Sequence, residues 1–204
     1  MKTSELMNDT QILEEVAKIQ YLYKLKYEIR YDLTREETLS TESVAEHIYG
    51  MFILAHYFLP LEDPESTWNR QRIYEMILWH DIDEIETGDI MGYKKTELDR
   101  ANERIASQKV IEKMPEILQA SVTAYLHEYE ARETIESRFV KAIDKMECDF
   151  HILNENGKKI QRHNNTTLDE HLRIKEPYLK DFPIIKKFGQ VMTDEMVKRE
   201  FFVS

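Results

Sequence analysis

The 204-residue chain contains one cysteine, five glycines and five prolines. A single cysteine, Cys148, excludes an intramolecular disulfide and a cysteine-rich zinc site. Free cysteine commonly behaves as a small buried hydrophobe, so Cys148 reads as a core thiol. Glycine and proline fall well below ordinary usages of about 7% and 5%, and few breakers mean few tight turns. Basic residues are also scarce: 28 Lys and Arg against 39 Asp and Glu give a net charge of −11. That balance excludes a general grip on a nucleic-acid polymer, which needs clustered Lys and Arg. A small phosphorylated ligand stays compatible, because a metal ion and one or two basic groups can set the local potential. No apolar run approaches the ~20 residues of a membrane span, and no N-terminal apolar stretch precedes a small-residue cleavage site. The expectation is a cytoplasmic protein with no membrane partner.

What the chain does contain is helical periodicity, with 33% charged residues interleaved among plentiful Leu, Ile, Met and Glu. Ile12, Val16, Ile19 and Tyr23 fall at helical spacing and predict a helix over about 9–29. The polar stretch IRYDLTREETLS then reads as a loop near a site. Ser43 with Glu46 three residues on resembles a capping box, opening a helix that carries His47 and stops at Pro60. A third helix is expected over about 68–85, nearly apolar all round at Leu78 and Trp79 and therefore central. Thr87-Gly88-Asp89 breaks it, with Gly88 supplying the backbone freedom. Further helices are expected over about 97–113, 115–130 and 133–153. Asn154-Glu155-Asn156-Gly157 reads as a stop signal, residues 158–180 as a mobile excursion or oligomer contact, and 182–201 as a last helix.

The most informative pair is His80-Asp81, in MILWHDIDEIETGDI. Adjacent His and Asp side chains can both reach one metal ion where their helix bends or ends. His47 lies upstream in TESVAEH, Asp144 downstream in FVKAIDKME, and Glu84 one turn after His80. Two imidazoles and two carboxylates suit a divalent transition metal of borderline softness and cancel its charge. Taken singly, each residue has a plainer reading: a satisfied helix histidine for His47 or His80, a salt bridge to Lys141 or Lys145 for Asp144, a solvated acid for Glu84. However, a carboxylate on an apolar helix is costly without a cation near it. His56, His127, His151, His163 and His171 have no such context, and His127-Glu128 lacks the second histidine of a zincin.

The ordered set His47, His80-Asp81 and Asp144, with the stretches ESVAEH, HDIDEIETGD and RFVKAIDKME, resembles the HD-domain metal-dependent phosphohydrolases and, among them, the 5'-deoxynucleotidase branch. The resemblance covers roughly residues 12–155. It implies an all-α fold, a single HD-type helical bundle over residues 1–204, with a motif-bearing core at about 12–155 and a C-terminal extension at about 156–204. It implies that His47, His80, Asp81 and Asp144 hold one divalent transition metal ion (Mn, Co, Fe, Ni or Zn). Glu84 would act as base with Asp89 in support, and Arg30 would meet the phosphate. The branch has a Trp after that Arg, where this chain has Tyr31. Lys94 or Lys95 could also reach a phosphate, although both read as solvated surface.

The implied activity is metal-dependent release of phosphate from a (deoxy)nucleoside 5'-monophosphate, and the resemblance also implies a homo-oligomer. Two rivals stand beside it. One is a phosphohydrolase of the same superfamily acting on a nucleoside triphosphate, a cyclic nucleotide or a non-nucleotide phosphate. The other is a metal-binding regulatory module without turnover.

Overall fold

A computed structural model describes residues 9–30, 41–90, 92 and 95–203, with side chains described from Ile12 on. Residues 31–40, which hold most of the expected loop, and Lys94 lie outside the described residues. The described residues are all-α: α1 (Asp9–Leu22), a 3-10 turn (Tyr23–Lys26), α2 (Val44–Glu62), α3 (Arg70–Trp79), the short α4 (Glu84–Thr87), α5 (Glu97–Lys113), α6 (Glu116–Ala131), α7 (Ile135–Ile152), α8 (Glu155–His163), α9 (Leu168–Leu179) and α10 (Pro183–Lys198).

The central helix is α7, which packs against α2, α3, α6, α8, α9 and α10. Its buried residues include Phe139, Val140, Ile143 and Met146, together with Asp144, Glu147 and Asp149. Val44, Met51 and Phe58 of α2, Ile73 and Ile77 of α3, and Phe182 and Ile185 complete the main core. Trp68, Phe139 and Phe182 meet at ring-centroid distances of 5.4–5.9 Å, the tilted and edge-on contacts that aromatic quadrupoles favour. The expected central helix, α3, is less enclosed, since Leu78 is 41% exposed. The stripe on α1 has its helical spacing, yet Ile12, Val16 and Ile19 remain 40–47% exposed.

The capping box forms as expected: Ser43 accepts from the Glu46 backbone N–H while Glu46 accepts from that of Ser43. Pro60 does not stop α2, which runs on to Glu62. A proline near a helix end forfeits only one backbone hydrogen bond. Continuing brings the Glu62 carboxylate to the backbone N–H groups of Ile184 and Ile185, 2.8 Å from each, at the start of α10. A negative group there satisfies orphan donors and faces the positive end of the helix dipole.

The expected helix over 68–85 divides in two. α3 ends at Trp79, His80–Asp83 form a turn, and α4 follows until Gly88, whose φ of 73° requires glycine. Ile82 pins the turn. It is 1% exposed and packs with Val110, Ile111 and Met114 of α5 and its C-cap, and with Val122 of α6.

The polar stretch over 158–180 is mostly helical rather than an excursion. α7 ends at Ile152, just before the expected stop, and Asn154 at once caps the next helix, α8, accepting from the Gly157 N–H at 2.9 Å. Thr167 and Glu170 form a capping box for α9. The apolar signal of α8 and α9 is weak because half of what they bury is polar: Gln161, His171 and Lys175 beside Gly157, Ile160 and Leu179.

Ile82→Ala should destabilise the protein by about 2–5 kcal/mol, because it removes fully buried methyl groups and leaves a cavity. Ile105→Ala, at a 56% exposed site, should stay within about 0.5 kcal/mol of the parent. Denaturant unfolding of the two variants checks the contrast.

Candidate metal centre

The break after α3 aims two adjacent side chains at one point. His80 caps α3, and its Nδ1–H donates to the Ile77 carbonyl at 3.0 Å. That bond leaves the Nε2 lone pair facing Asp81 Oδ2 at 3.0 Å. Two acceptors at that distance repel unless a cation lies with them. His47, in the second turn of α2, is fully buried. Its Nδ1–H donates to Glu147 Oε2 at 2.6 Å, while Nε2 lies 3.8 Å from Asp81 Oδ2 and 3.6 Å from Asp144 Oδ1. Both Nε2 atoms are buried without a hydrogen-bond partner among the described residues. Ligand atoms of His47, His80 and Asp81 all lie within 4.8 Å of one another.

The charges point the same way. Burial and Arg30 push the proton affinity of His47 down, yet the Asp144 and Glu147 carboxylates outweigh them and hold its pKa at about 9. A positive charge at Nε2 is what this environment favours. Burial opposes ionisation of Asp81, but the two histidines hold its pKa below the usual carboxylate value. Asp144 is likewise held low against burial by Lys141 and Lys145. Two imidazoles with buried, outward-facing lone pairs and two ionised carboxylates fit a divalent transition metal, and the hydrogen bonds to Ile77 and Glu147 fix both rings for that task.

Asp144 makes the salt bridges of its plainer reading and still turns one oxygen toward His47. Its Oδ2 accepts from Tyr129 at 3.1 Å and pairs with Lys141 at 2.9 Å and Lys145 at 3.2 Å, while Oδ1 turns to His47. Arg30 sits where residue 30 and residue 42 pair through the backbone. Its Nη1 donates to Glu42 at 2.6 Å and lies 3.6 Å from Glu147, and its Nε is 3.7 Å from Asp89. Glu42, His47 and Glu147 also converge closely enough to suggest a second ion. Arg30 already supplies the positive charge there.

Glu84 opens α4 and is 4% exposed, with Oε2 buried and lacking a hydrogen-bond partner among the described residues. Burial, then Asp81 and Asp89, raise its pKa well above the ordinary glutamate value, with Arg30 pulling the other way. The turn also buries Asp83, whose pKa burial and the neighbouring Asp81 and Glu103 raise to about 7.

Arg30, Asp81, Glu84, Asp89, Lys141, Asp144 and Lys145 border one cavity of about 120 Å³. Cys148 lines it too and is half-buried, so the thiol stands at the core's edge rather than within it. Lys95 is not free surface: it lines the same cavity and pairs with Glu103 at 2.6 Å. A wider cleft of about 730 Å³ opens from Asp81 and is bordered by Arg100, Arg104, Arg132, Arg173, Lys141 and Lys145.

The structure thus brings all seven sequence-selected residues to one region. Sequence reasoning missed Glu147, Glu42, Tyr129 and the role of the C-terminal helices. One signal was available: Glu147 follows Asp144 by three and so shares its helix face. Gly50 explains how Glu147 reaches His47. A Cβ at position 50 would stand 3.1 Å from Glu147 Cδ and closer still to Oε1.

Comparisons with known proteins agree with this picture. A 5'-deoxynucleotidase of Cronobacter sakazakii is 31% identical over 134 residues, which is 62% of this chain and 66% of that protein. A human 5'-deoxynucleotidase is 31% identical over 109 residues, 52% of this chain and 50% of that protein. The chain therefore spans between half and about two thirds of the length of these curated relatives. Among solved structures, a predicted metal-dependent phosphohydrolase from Magnetospirillum magnetotacticum superposes with a TM-score of 0.78 at 23% identity, covering 96% of this chain and all of that one. An HD-domain phosphohydrolase from Listeria innocua gives 0.61 at 23% identity, over 90% and 85% of the two chains. At these identities the structural likeness is one of fold. A family model described as HD domain matches residues 22–186, and with that match running from the end of α1 into α10, the chain belongs to the HD domain family.

Proposed function

We propose that this protein is a metal-dependent phosphohydrolase that releases phosphate from nucleoside 5'-monophosphates, 2'-deoxy forms included. The observation that carries the reading is the pair of buried Nε2 atoms of His47 and His80, without a hydrogen-bond partner among the described residues and facing Asp81 and Asp144 at the border of a cavity. These four residues would hold one divalent transition metal ion. When bound, such an ion polarises a phosphoryl oxygen and lowers the pKa of water. The names of the curated relatives support the choice of substrate class.

The remaining roles belong to the chain's own groups. Glu84 Oε2 takes the proton from the attacking water; a buried carboxylate flanked by Asp81 and Asp89 binds a proton more strongly than an exposed one. Asp89 supports this by holding Arg30 across 3.7 Å and by its negative charge beside Glu84. Arg30, Lys141 and Lys145 line the cavity and offset the phosphate charge, which persists through the transition state. Arg30 is already engaged with Glu42, so it serves as a fixed and oriented cation rather than a mobile one.

Two measurements test the assignment. Protein purified with Mn²⁺ or Co²⁺ should carry about one ion per chain, and Asp81→Ala and Asp144→Ala should each lose it, since each removes a carboxylate ligand and its charge. Unchanged metal content in both variants overturns the ligand set. Phosphate release across a panel of nucleoside 5'-monophosphates should then fall about 10²–10⁴-fold in Glu84→Ala, with metal content retained, the usual range for a lost general base. Parental activity in that variant reassigns proton transfer, with Asp89 the next candidate.

A further inference from the structure

The cavity has two chemically different ends. Along α7 its wall is made by Asp144, Lys145, Cys148 and Ile152. Eight residues of helix at 1.5 Å rise give this wall a length of about 12 Å. Asp81, Glu84 and Arg30 crowd the Asp144 end. Toward Ile152 the cavity is closed by α8 and α9, with Gln161, Thr166, His171 and Lys175 as its polar groups, while Ile174 also lines the wider cleft with Lys141 and Lys145. An apolar wall with a few convergent polar atoms is the ordinary make-up of a small-molecule subsite.

Most of those polar groups are already occupied. Lys175 donates to the buried Asp149 carboxylate. His171 Nε2 lies 3.2 Å from the Thr193 hydroxyl. The Thr166 backbone N–H donates to the Gln161 carbonyl and its own carbonyl accepts from the Val203 N–H, which locks the turn after α8. Two side-chain acceptors here lack a donor among the described residues, Asp149 Oδ2 and Gln161 Oε1. Of the two, only Gln161 lines the cavity, and it is 7% exposed. A buried acceptor left without a donor is costly, so one that persists at a cavity wall calls for a ligand that supplies the donor.

We infer that Gln161 reads the nucleobase: its Oε1 accepts a hydrogen bond from an amino or ring N–H group on the base's pairing edge, while Ile152 borders the ring. The inference rests on the nucleoside 5'-monophosphate reading above, with the phosphate at the Asp144 end. Every common base offers such a donor, so Gln161 favours a substrate with a base over one without and does not by itself choose among bases.

The test compares a nucleoside 5'-monophosphate with 2-deoxyribose 5-phosphate, the same ester without a base, on the metal-loaded enzyme. Gln161→Met keeps the length of the side chain and removes its hydrogen bonding. One lost hydrogen bond should lower kcat/KM for the nucleotide about tenfold and leave that for deoxyribose 5-phosphate within about twofold. The thermal midpoint of ligand-free Gln161→Met should equal or exceed that of the parent, because the change removes an unsatisfied buried acceptor. Equal losses on both esters, or a lowered midpoint, would make Gln161 a structural residue and overturn the inference. So would an unchanged nucleotide kcat/KM, which leaves the phosphohydrolase reading intact. A parent enzyme that hydrolyses neither ester overturns both together.

Discussion

Three carboxylates are buried on one helix, and the surrounding fold is arranged to neutralise them. Asp144, Glu147 and Asp149 of α7 would each be prohibitively costly inside a protein without a cation or donors at hand. Each recruits different neighbours. Asp144 draws Lys141 and Lys145 from its own helix and Tyr129 from α6. Glu147 draws His47 from α2 and Arg30. Asp149 draws Lys175 from α9. The candidate metal cluster is the part of this arrangement where two imidazole nitrogens and two acids face one point. Neutralising α7 and assembling the cavity are the same structural event, and the cavity's walls come from the helices that supply the counter-charges.

How far the sequence revealed this depends on the range of the interaction concerned. The Ser43–Glu46 capping box, the break at Gly88 and the His80-Asp81 pair at a helix end are settled within a few residues, and all three form. Pro60 misled because its local rule is a strong one, yet Glu62 gains two backbone donors 122 and 123 residues away in sequence by extending α2 past it. α8 and α9 were illegible for the same reason, whereas the last helix, expected over 182–201, forms as α10. Among the described residues, nothing near Lys175 or His171 in sequence pairs with them; their partner, Asp149, meets them only where α9 lies on α7. The stretch taken for an excursion is one wall of the site, and the family match extending to residue 186 accords with that.

Charge provides a second case of an average concealing a local arrangement. The chain as a whole is strongly acidic, at −11. Yet the cleft opening from Asp81 gathers arginines from α5, α9 and the end of α6 beside the lysines of α7. Basic residues outnumber the cleft's acids, Asp81, Asp83, Glu103 and Glu130, so its local balance of charge runs opposite to that of the whole chain.

Gly50 gives α2 a meaning that helix propensity would misread. In an exposed helix interior, glycine is a weakness of about 1 kcal/mol that alanine repairs. Here the missing methyl group is a vacancy occupied by the Glu147 carboxylate on its way to His47 Nδ1. A screen for stabilising substitutions would nominate this position early, and by filling the vacancy it would loosen the imidazole's tether. The least substantial side chain on α2 therefore leaves the room that the Glu147 carboxylate fills, and what it contributes is empty space.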